Sequence, residues 1–290
     1  MARSIAAGLL LALGSCVAAP LPPPGLALSS LDYTLAPGEE RYFCYAMTLP
    51  LDEETVITAY RPEYGAGTHH IFFGYTLDPE PEPFSECPVL SRNTWVPLFL
   101  GGVRTSDLEL PAGAGVRLVP GTQIFMQLHL QNPTTEAITA RTAMHLETAP
   151  ASEDLVPAGV FGFDDRTVVL PPRSTDVETT IECMPGRRME VFGLLAHMHQ
   201  YGTLLELWGG PAGAERLLHS QVWDFNDQPT TAVSFVIEPT DNLRLRCLHN
   251  NPTDAAILYG ESSLDEMCAG ILYYTPFEEI DACLDVPPSP

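Results

Sequence analysis

Two histidines stand one residue apart in the apolar segment LLAHMHQYG, residues 194–202. Successive side chains of a β-strand alternate between two faces, so His197 and His199 point the same way and can reach one metal ion, while Met198 faces the core. The chain has only eight histidines. Two histidines on a polar strand face would show the same spacing, so the pair alone leaves both interpretations open.

Three more histidines lie in the first half of the chain, His69 and His70 in GTHHIFFGY and His129 in FMQLHLQNP. Adjacent residues of a regular strand face opposite ways, so His69 and His70 could bind one ion only across a twist or a β-bulge. Neutral imidazole suits copper, zinc or iron. Histidine clusters in both halves of a histidine-poor chain therefore favour metal binding over incidental placement.

Met267 precedes Cys268 in the segment SSLDEMCAGILYY. A thioether is a soft ligand that favours Cu(I), so two imidazoles and one thioether would form a copper site that can change its oxidation state. A methionine beside a disulfide-bonded cysteine more often belongs to a core. Its position alone does not identify Met267 as a ligand.

The segments that carry these residues have the composition of β-strands. Short stretches rich in Val, Ile, Phe, Tyr and Thr, such as RYFCYAMTL and AVSFVIEP, recur between clusters of Pro, Gly and Asp. This pattern is typical of an all-β sandwich. The segment TAPASEDLVPAG, Thr148 to Gly159, is the best candidate for a linker. The sequence therefore predicts two β domains, residues 28–155 and 156–285, followed by a tail at 286–290.

The amino-terminal sequence is typical of an exported protein. Residues 1–19 contain an early arginine, an apolar run too short to span a bilayer, and then small residues, as in a secretory signal. LGSC, which ends at Cys16, resembles a bacterial lipobox, whereas VAA before Pro20 suits ordinary signal cleavage. We expect either a cell-envelope lipoprotein, with membrane contact only through a lipid anchor, or a secreted or periplasmic protein. The proline-rich residues 20–27 would be a tether.

Charge and cysteine content restrict the partners and the compartment. The net charge of −23 comes from 37 acidic and 14 basic residues, and such a surface would repel a nucleic-acid backbone. Apart from Cys16, six cysteines remain, an even number that fits three disulfide bonds in an oxidising compartment. Composition does not select the pairing. A thiolate metal site is disfavoured because no C-x-x-C motif occurs.

Six segments in one order resemble motifs of the copper type II ascorbate-dependent monooxygenases, which include peptidylglycine α-hydroxylating monooxygenase and dopamine β-monooxygenase. They are YFCYAM, THHIFFG, QLHLQNP, GLLAHMHQYG, LRCLHNNP and DEMCAGILYYTP. The resemblance extends from about Tyr42 to Cys283. It implies two jelly-roll-like antiparallel β-sandwich domains, each with one copper site, on either side of an open, solvent-filled cleft.

The resemblance implies that the first domain stores and delivers an electron. His69, His70 and His129 would form its three-histidine copper site. Tyr42 and Gln127 match family positions near that site, where they would support the ligands. Both could equally be ordinary strand residues.

The second domain would be the place of catalysis by the same resemblance. His197, His199 and Met267 would hold the copper ion at which O2 binds and a C–H bond of a small organic substrate is attacked. One oxygen atom would enter the substrate and the other would become water, with two ascorbates each supplying one electron. A weak axial sulfur ligand would stabilise Cu(I), the form that captures O2.

The resemblance also implies the disulfide pairing, namely Cys44 with Cys87, Cys183 with Cys283, and Cys247 with Cys268. The last bond would clamp the strand that presents Met267.

The chain departs from the peptide-amidating members of the family near the second site. Those enzymes bind a substrate carboxylate through an arginine, an asparagine and a tyrosine, where this chain has Leu195, Ala269 and Ile271. Without the guanidinium, the bidentate contact to a carboxylate is missing. We therefore expect an apolar pocket, formed by Leu195, Ile271 and Tyr273, for a small apolar or aromatic molecule.

Several polar residues have no role that the sequence defines. Glu206 and Glu261 are candidates for an acid that binds a substrate amine, although no pattern singles them out. His145 would be a core residue or a support for the first site. His219 and His249 are interpreted as surface or loop residues.

Two other classes of function are open at this point. A copper-binding or copper-delivering lipoprotein without turnover would keep the same ligands. A β-sandwich adhesion module would carry the histidines incidentally, and the complete set of six candidate ligands argues against it. Oxygen uptake that depends on substrate and ascorbate would separate the enzyme from the copper carrier.

Overall fold

The structure is a computed structural model that describes residues 25–87, 92–279 and 281–285. Within these ranges the only regular elements are β-strands, which confirms the predicted all-β fold class. No helix in the described ranges is long and apolar enough to span a membrane. The predicted signal with its lipobox, residues 1–19, and the predicted tail, residues 286–290, lie outside the described residues.

The strands form two consecutive groups. The first group comprises β1 (Leu26–Ser29), β2 (Tyr33–Leu35), β3 (Glu40–Thr48), β4 (Thr55–Glu63), β5 (Thr68–Thr76), β6 (Phe84–Glu86), β7 (Trp95–Gly101), β8 (Leu108–Glu109), β9 (Ala114–Leu118), β10 (Gln123–Gln131), β11 (Ile138–Ala140), β12 (Ala143–Pro150) and β13 (Val156–Pro157). The second group comprises β14 (Gly159–Asp165), β15 (Val169–Leu170), β16 (Ser174–Cys183), β17 (Met189–Met198), β18 (Gly202–Pro211), β19 (Arg216–Val222), β20 (Thr230–Ile237), β21 (Asp241–Asn251), β22 (Ile257–Leu258), β23 (Cys268–Thr275) and β24 (Asp281–Asp285). All strand pairing in the described residues joins members of the same group.

The first group contains two larger sheets. One has the strand order β1-β12-β4-β9-β13, with β8 paired to β4, and the other has the order β6-β3-β10-β5-β7. A small ribbon pairs β11 with β2. Apolar side chains from both larger sheets share one core, as in a β-sandwich.

Strand β10 shows how pleating separates this core from the site. Every second side chain from Ile124 to Leu130 is fully buried in the core of the first group. Gln127 and His129 alternate with them and therefore point to the opposite face of the sheet. Burial of each aliphatic side chain contributes about 1.5–3 kcal/mol, so a one-residue slip that reversed the faces would be strongly disfavoured.

The second group repeats this plan. Its larger sheets have the orders β20-β17-β23-β14-β24 and β16-β21-β18-β19, and β15 pairs with β22. From β17, Leu194, Ala196 and Met198 enter the core of the second group, as predicted for Met198. Leu195 alternates with them and packs against the first group. His197 lies on the same face of β17 as Leu195.

Three disulfide bonds join the pairs that the family resemblance implies, Cys44–Cys87, Cys183–Cys283 and Cys247–Cys268. The last bond links β21 to β23, and thus connects the two larger sheets of the second group. Because it lies directly next to Met267, it restricts the motion of the segment that carries this methionine.

The connection between the groups is shorter than the predicted linker, Thr148 to Gly159. Strand β12 continues to Pro150, because a register shift lets it keep pairing with β4. Strand β13 then pairs in parallel with β9 of the first group. The linker prediction was therefore wrong at both ends. Within residues 148–159, the longest segment outside strands is 151–155. The boundary between the predicted domains, 28–155 and 156–285, stays a prediction.

Tyr273 joins the two groups directly. It is 1% exposed and packs in the same apolar core as the buried side chains of the first group. Its hydroxyl donates to the Leu100 carbonyl at 2.9 Å and accepts from the Leu100 N–H at 3.1 Å. One side chain of β23 therefore satisfies both backbone groups of a residue in β7.

Replacing Tyr273 with Phe should lower the free energy of unfolding by about 1–3 kcal/mol, because both Leu100 groups lose their partner. Tyr60 is equally buried, at 1% exposure, and its hydroxyl has no hydrogen-bond partner in the described residues. Y60F should therefore change stability by less than about 0.5 kcal/mol. Urea unfolding with intact disulfides measures both variants. Equal losses of unfolding free energy in Y273F and Y60F would contradict the role given to the Tyr273 hydroxyl.

Candidate metal centre

Adjacent His69 and His70 reach the same side of β5 because the strand contains a β-bulge. His129 of β10 pairs with His70, but the next residue, Leu130, pairs with Thr68. His69 is therefore the extra residue, which removes it from the regular alternation of faces. The sequence predicts that joint ligation needs such an irregularity, and the structure contains it.

The rings of His69, His70 and His129 form one buried group, the three-histidine cluster. One nitrogen from each ring lies within 4.8 Å of the others, and the residues are 4%, 9% and 0% exposed. Burial lowers the pKa of His69 to about 3 and the pKa of His70 well below its usual range, and the neighbouring rings add to this effect. The two rings are thus neutral at neutral pH, as metal binding requires.

Tyr42 and Glu40 of β3 hold the ring of His129. Tyr42 stacks on it with 4.3 Å between ring centroids, and Glu40 Oε1 lies 2.6 Å from His129 Nε2. Burial raises the pKa of the Glu40 carboxyl, but hydrogen bonds from His129 and Ser263 outweigh it and lower that pKa to about 2. The ionised carboxylate can only accept a hydrogen bond, so Nε2 is the donor and Nδ1 is the nitrogen left to bind a metal ion.

The three-histidine cluster fits a metal ion. Nδ1 of His129 and both ring nitrogens of His69 and His70 are buried without a hydrogen-bond partner among the described residues. Such atoms are costly in a folded protein, and an ion bound by the three imidazoles would satisfy one nitrogen of each ring. Gln127 is fully buried two residues before His129 on β10, on the same face of the strand.

The second candidate set lies where β17 ends and β23 begins. His197 pairs with Ala269 and Met198 pairs with Cys268, so the next opposed positions are His199 and Met267. Paired residues of neighbouring strands share a face, so the register predicts that these two side chains lie on one face. The rings of His197 and His199 are 5.3 Å apart and nearly perpendicular.

Hydrogen bonds fix which nitrogen each ring of this second set can offer. His197 Nδ1 donates to Gln228 Oε1 at 3.0 Å, and His199 Nδ1 donates to the Asp265 carbonyl at 3.3 Å. Each ring therefore keeps its lone pair on Nε2, and that of His199 is buried without a partner in the described residues. Burial lowers the pKa of both rings. Two neutral imidazoles and the Met267 thioether, with the methionine 2% exposed, fit a soft metal ion such as copper.

Glu266 connects the two segments that carry this second set. Its carboxylate is 0% exposed and accepts three backbone N–H groups, from His199 at 2.6 Å, Met267 at 2.8 Å and Tyr201 at 2.9 Å. A carboxylate with this number of donors is well satisfied in the interior. It therefore fixes the backbone of both ligand segments.

The two ligand sets lie side by side. The ring centroids of His70 and His197 are 6.0 Å apart, and Phe225 of the second group packs on His69 at 4.6 Å. The open, solvent-filled cleft expected between the sites is therefore absent at this point of the structure. The cause is apolar contact between the groups, which removes the faces of β5 and β17 from water.

A cavity of about 180 Å³ opens beside the second set. Its wall includes His70 from one set, His197 and Met267 from the other, and the predicted pocket residues Leu195 and Ile271. Further apolar lining comes from β5, β7 and β14, in the residues Phe72, Pro97, Leu100 and Phe163. Most of the wall is thus apolar, as expected.

One edge of the cavity cannot carry a side chain. Gly102 lies against Gln228 so closely that a Cβ atom at this position would overlap with the glutamine side chain. Gln228 is fully buried, so it has little room to move away. The glycine therefore protects the contact between Gln228 and His197.

Other residues singled out by the sequence lie away from this cavity. Tyr273 was expected in the pocket, but its ring packs between the groups and its hydroxyl bonds to Leu100, so that prediction was wrong. Glu206 lies in the four-stranded sheet, where it pairs with Arg246 at 2.9 Å. The backbone carbonyl of Glu261 accepts a hydrogen bond from Tyr42.

The three remaining histidines have distinct surroundings. His145 is about half exposed on β12 and lies 3.2 Å from Glu63, so it is not a core residue. His219 is on β19, and His249 is on β21 with 0% exposure. The interpretation of His249 as a surface or loop residue was therefore wrong, because alternation on β21 turns it inward to Thr179. His219 is partly exposed on β19, at the edge of its sheet.

Sequence reasoning missed Glu40, Gln228 and Glu266. Glu266 had a weak signal, since it directly precedes Met267. Glu40 lies two residues before Tyr42 on the same strand face, which could have suggested it. Nothing in the sequence pointed to Gln228.

Comparison with known proteins found similar sequences. Residues 158–289 match the model of the copper type II ascorbate-dependent monooxygenase C-terminal domain. Peptidyl-glycine alpha-amidating monooxygenase B of Xenopus laevis is 24% identical over 277 residues, which cover 87% of this chain and 31% of the frog protein. The corresponding monooxygenase of Mus musculus is 26% identical over 278 residues, covering 87% of this chain and 28% of the mouse protein.

A third relative has a different name. DBH-like monooxygenase protein 1 of Gallus gallus is 26% identical over 184 residues, which cover 57% of this chain and 30% of the chicken protein. The chain thus spans about a third or less of the length of the relatives that it matches.

Replacing Glu266 with Ala should destabilise the metal-free protein by about 3 kcal/mol or more, because three buried N–H groups lose their acceptor. E266Q keeps one carbonyl oxygen and should lose less. Glu238 is a suitable control, because its side chain is 55% exposed, and E238A should change stability by less than about 0.5 kcal/mol. Urea unfolding measures all three variants. Equal stabilities of E266A and E238A would disprove this account of Glu266.

Proposed function

We propose that this chain, which resembles the copper type II ascorbate-dependent monooxygenases over residues 158–289 and is similar to peptidyl-glycine alpha-amidating monooxygenases over 87% of its length, hydroxylates a small organic molecule with O2, two copper ions and ascorbate as reductant. One observation carries the proposal. A single cavity is lined by His197 and Met267 of one ligand set and by His70 of the other. A substrate bound there would lie beside both sets.

We assign electron storage to the three-histidine cluster. Copper, when bound, would supply the one-electron steps and the activation of O2. The chain supplies neutral imidazoles kept dry by burial, and Glu40 holds the His129 proton on Nε2 so that Nδ1 is free to bind. Ligands that are held in place need little rearrangement when the oxidation state changes.

We assign O2 chemistry to His197, His199 and Met267. The thioether favours the reduced ion, while Gln228 and the Asp265 carbonyl orient the two rings so that each offers Nε2. The apolar wall of the cavity keeps water away from the reacting groups. The chain therefore supplies orientation, a soft ligand and a dry pocket.

The substrate that suits this cavity is small and largely apolar. A cavity of about 150 Å³ can hold a benzene ring, so about 180 Å³ admits one aromatic ring with a short substituent. Two charged residues line the cavity, Asp164 and Arg166, and they pair with each other at 2.7 Å. Leu195 stands where the peptide-amidating enzymes have an arginine, so a peptide carboxylate would lack its partner there.

Export of the protein fits this function. The three disulfide bonds support an oxidising compartment. The proposal includes export by one of two routes, ordinary cleavage of a signal at residues 1–19 or lipidation of Cys16, and both concern residues outside the described ranges.

Copper titration of the purified protein should saturate near two ions per chain, because the proposal includes two separate ligand sets. Removal of copper with a chelator should abolish oxygen uptake, and addition of copper should restore it. Metal analysis by mass spectrometry and an oxygen electrode measure these effects. Saturation at one ion or none would contradict the assignment of the two sites.

Replacing Met267 with Ile should reduce hydroxylation at least about a hundredfold, because the second site loses its soft ligand. Reduction of the three-histidine site by ascorbate should continue, as followed by loss of the Cu(II) signal in electron paramagnetic resonance. Met184 is 63% exposed, so M184I is a matched control that should retain activity. Small phenols, aromatic amines and apolar amides are the compounds to screen for product. Unchanged product formation by M267I would remove Met267 from the mechanism.

A further inference from the structure

Residues 260–265 of the second group, here called the 260–265 loop, lie against the three-histidine cluster of the first group. Tyr42 donates its hydroxyl proton to the Glu261 carbonyl at 2.5 Å. Gln131 Nε2 donates to Ser263 Oγ at 2.9 Å. Two strands of the first group, β3 and β10, therefore hold a loop that is more than 130 residues away in sequence.

Glu40 makes the central contact to this loop. Its Oε1 accepts the Ser263 N–H at 3.0 Å, and its Oε2 accepts the Ser262 hydroxyl at 3.1 Å. The same Oε1 also accepts a hydrogen bond from Nε2 of His129, at 2.6 Å. One carboxylate thus joins a ring of the three-histidine cluster to the backbone of the 260–265 loop.

The other end of the loop leads directly into the second ligand set. The Asp265 carbonyl accepts from His199 Nδ1, and the next two residues are Glu266 and Met267. A displacement of the loop that reaches Asp265 would therefore change the hydrogen bond that orients His199 and would pull on the segment that carries Met267 against its anchors, Glu266 and the Cys247–Cys268 bond.

We propose that Glu40 is a positioning residue for both ligand sets, which sets the place of Met267 relative to the three-histidine cluster. The inference rests on the proposed function, in which Met267 binds copper. Glu40 acts through His129 on one side and through Ser262 and Ser263 on the other. Loss of its carboxylate would release the loop and alter the second site, although no ligand residue changes.

The neighbouring Glu39 shows that position and exposure alone do not produce this role. The two side chains are similarly exposed, 28% for Glu39 and 24% for Glu40. Glu39 contacts the Ala36 N–H and Arg41, both within three residues. E39A is therefore a matched control for E40A.

Hydrogen–deuterium exchange of the metal-free protein tests whether Glu40 holds the loop. Amides of residues 260–267 should exchange at least about tenfold faster in E40A than in wild type, because opening of the loop becomes easier. E40Q keeps a carbonyl acceptor and should remain close to wild type, and E39A should match wild type. Exchange in E40A equal to that in E39A would overturn the proposal.

X-ray absorption of the Cu(I)-loaded protein tests the effect on the second ligand set. Sulfur scattering from Met267 should be present in wild type, E39A and E40Q, and reduced by half or more in E40A. A role of Glu40 confined to His129 would leave this sulfur signal unchanged, so an unchanged signal in E40A would also overturn the proposal.

Two further outcomes keep the inference separate from the proposed function. If wild type itself lacks sulfur scattering, Met267 is not a ligand and the proposed function fails, while the exchange data still decide whether Glu40 holds the loop.

If E40A does not fold, the double variant Q131A with S262A removes loop contacts without touching His129. This variant should show faster exchange at 260–267, and wild-type exchange would overturn the proposal.

Discussion

The structure depends on keeping neutral imidazole rings away from water without giving every lone pair a protein partner. His69, His70, His129 and His199 each have at least one buried nitrogen with no hydrogen-bond partner among the described residues. Each such atom costs about 1–3 kcal/mol, so the surrounding strands hold the rings in place at the expense of stability. Coordination of a metal would recover this free energy, because it satisfies the lone pairs only in the folded arrangement. Binding of a metal ion would therefore stabilise the fold.

Pleating allows the same strands to build both a core and a site. Strands β10 and β17 each send alternate apolar side chains into the core of their own group and turn His129 or His197 to the opposite face. The apolar side chains of this face favour its removal from water, whereas its unpaired ring nitrogens oppose that removal. Contact between the groups removes it from solvent, and Phe225 on His69 is one of the contacts that do so. The relative placement of the two groups is thus part of the site itself.

Much of the site could be predicted from local patterns, and the rest could not for a definable reason. The H-x-H spacing and the alternation of β17 placed His197 correctly on the face opposite Met198. The adjacent His69 and His70 indicated an irregular strand, which the register of β5 explains. Glu40 and Gln228 were missed because their partners are distant in sequence, 222 residues in the case of the Glu40–Ser262 contact. A lone glutamate in a strand normally indicates a solvated position, and only tertiary structure shows a carboxylate shared by two segments.

The close approach at Gly102 restricts how this pocket could be redesigned. Leu195 and Ile271 could be exchanged for smaller or larger apolar residues to admit other compounds, since their neighbours are side chains that can repack. The glycine offers no such freedom, because even one added methyl group would push on Gln228 and thereby tilt the imidazole of His197. Engineering of this molecule toward new compounds should therefore vary the apolar wall and leave the glycine edge unchanged.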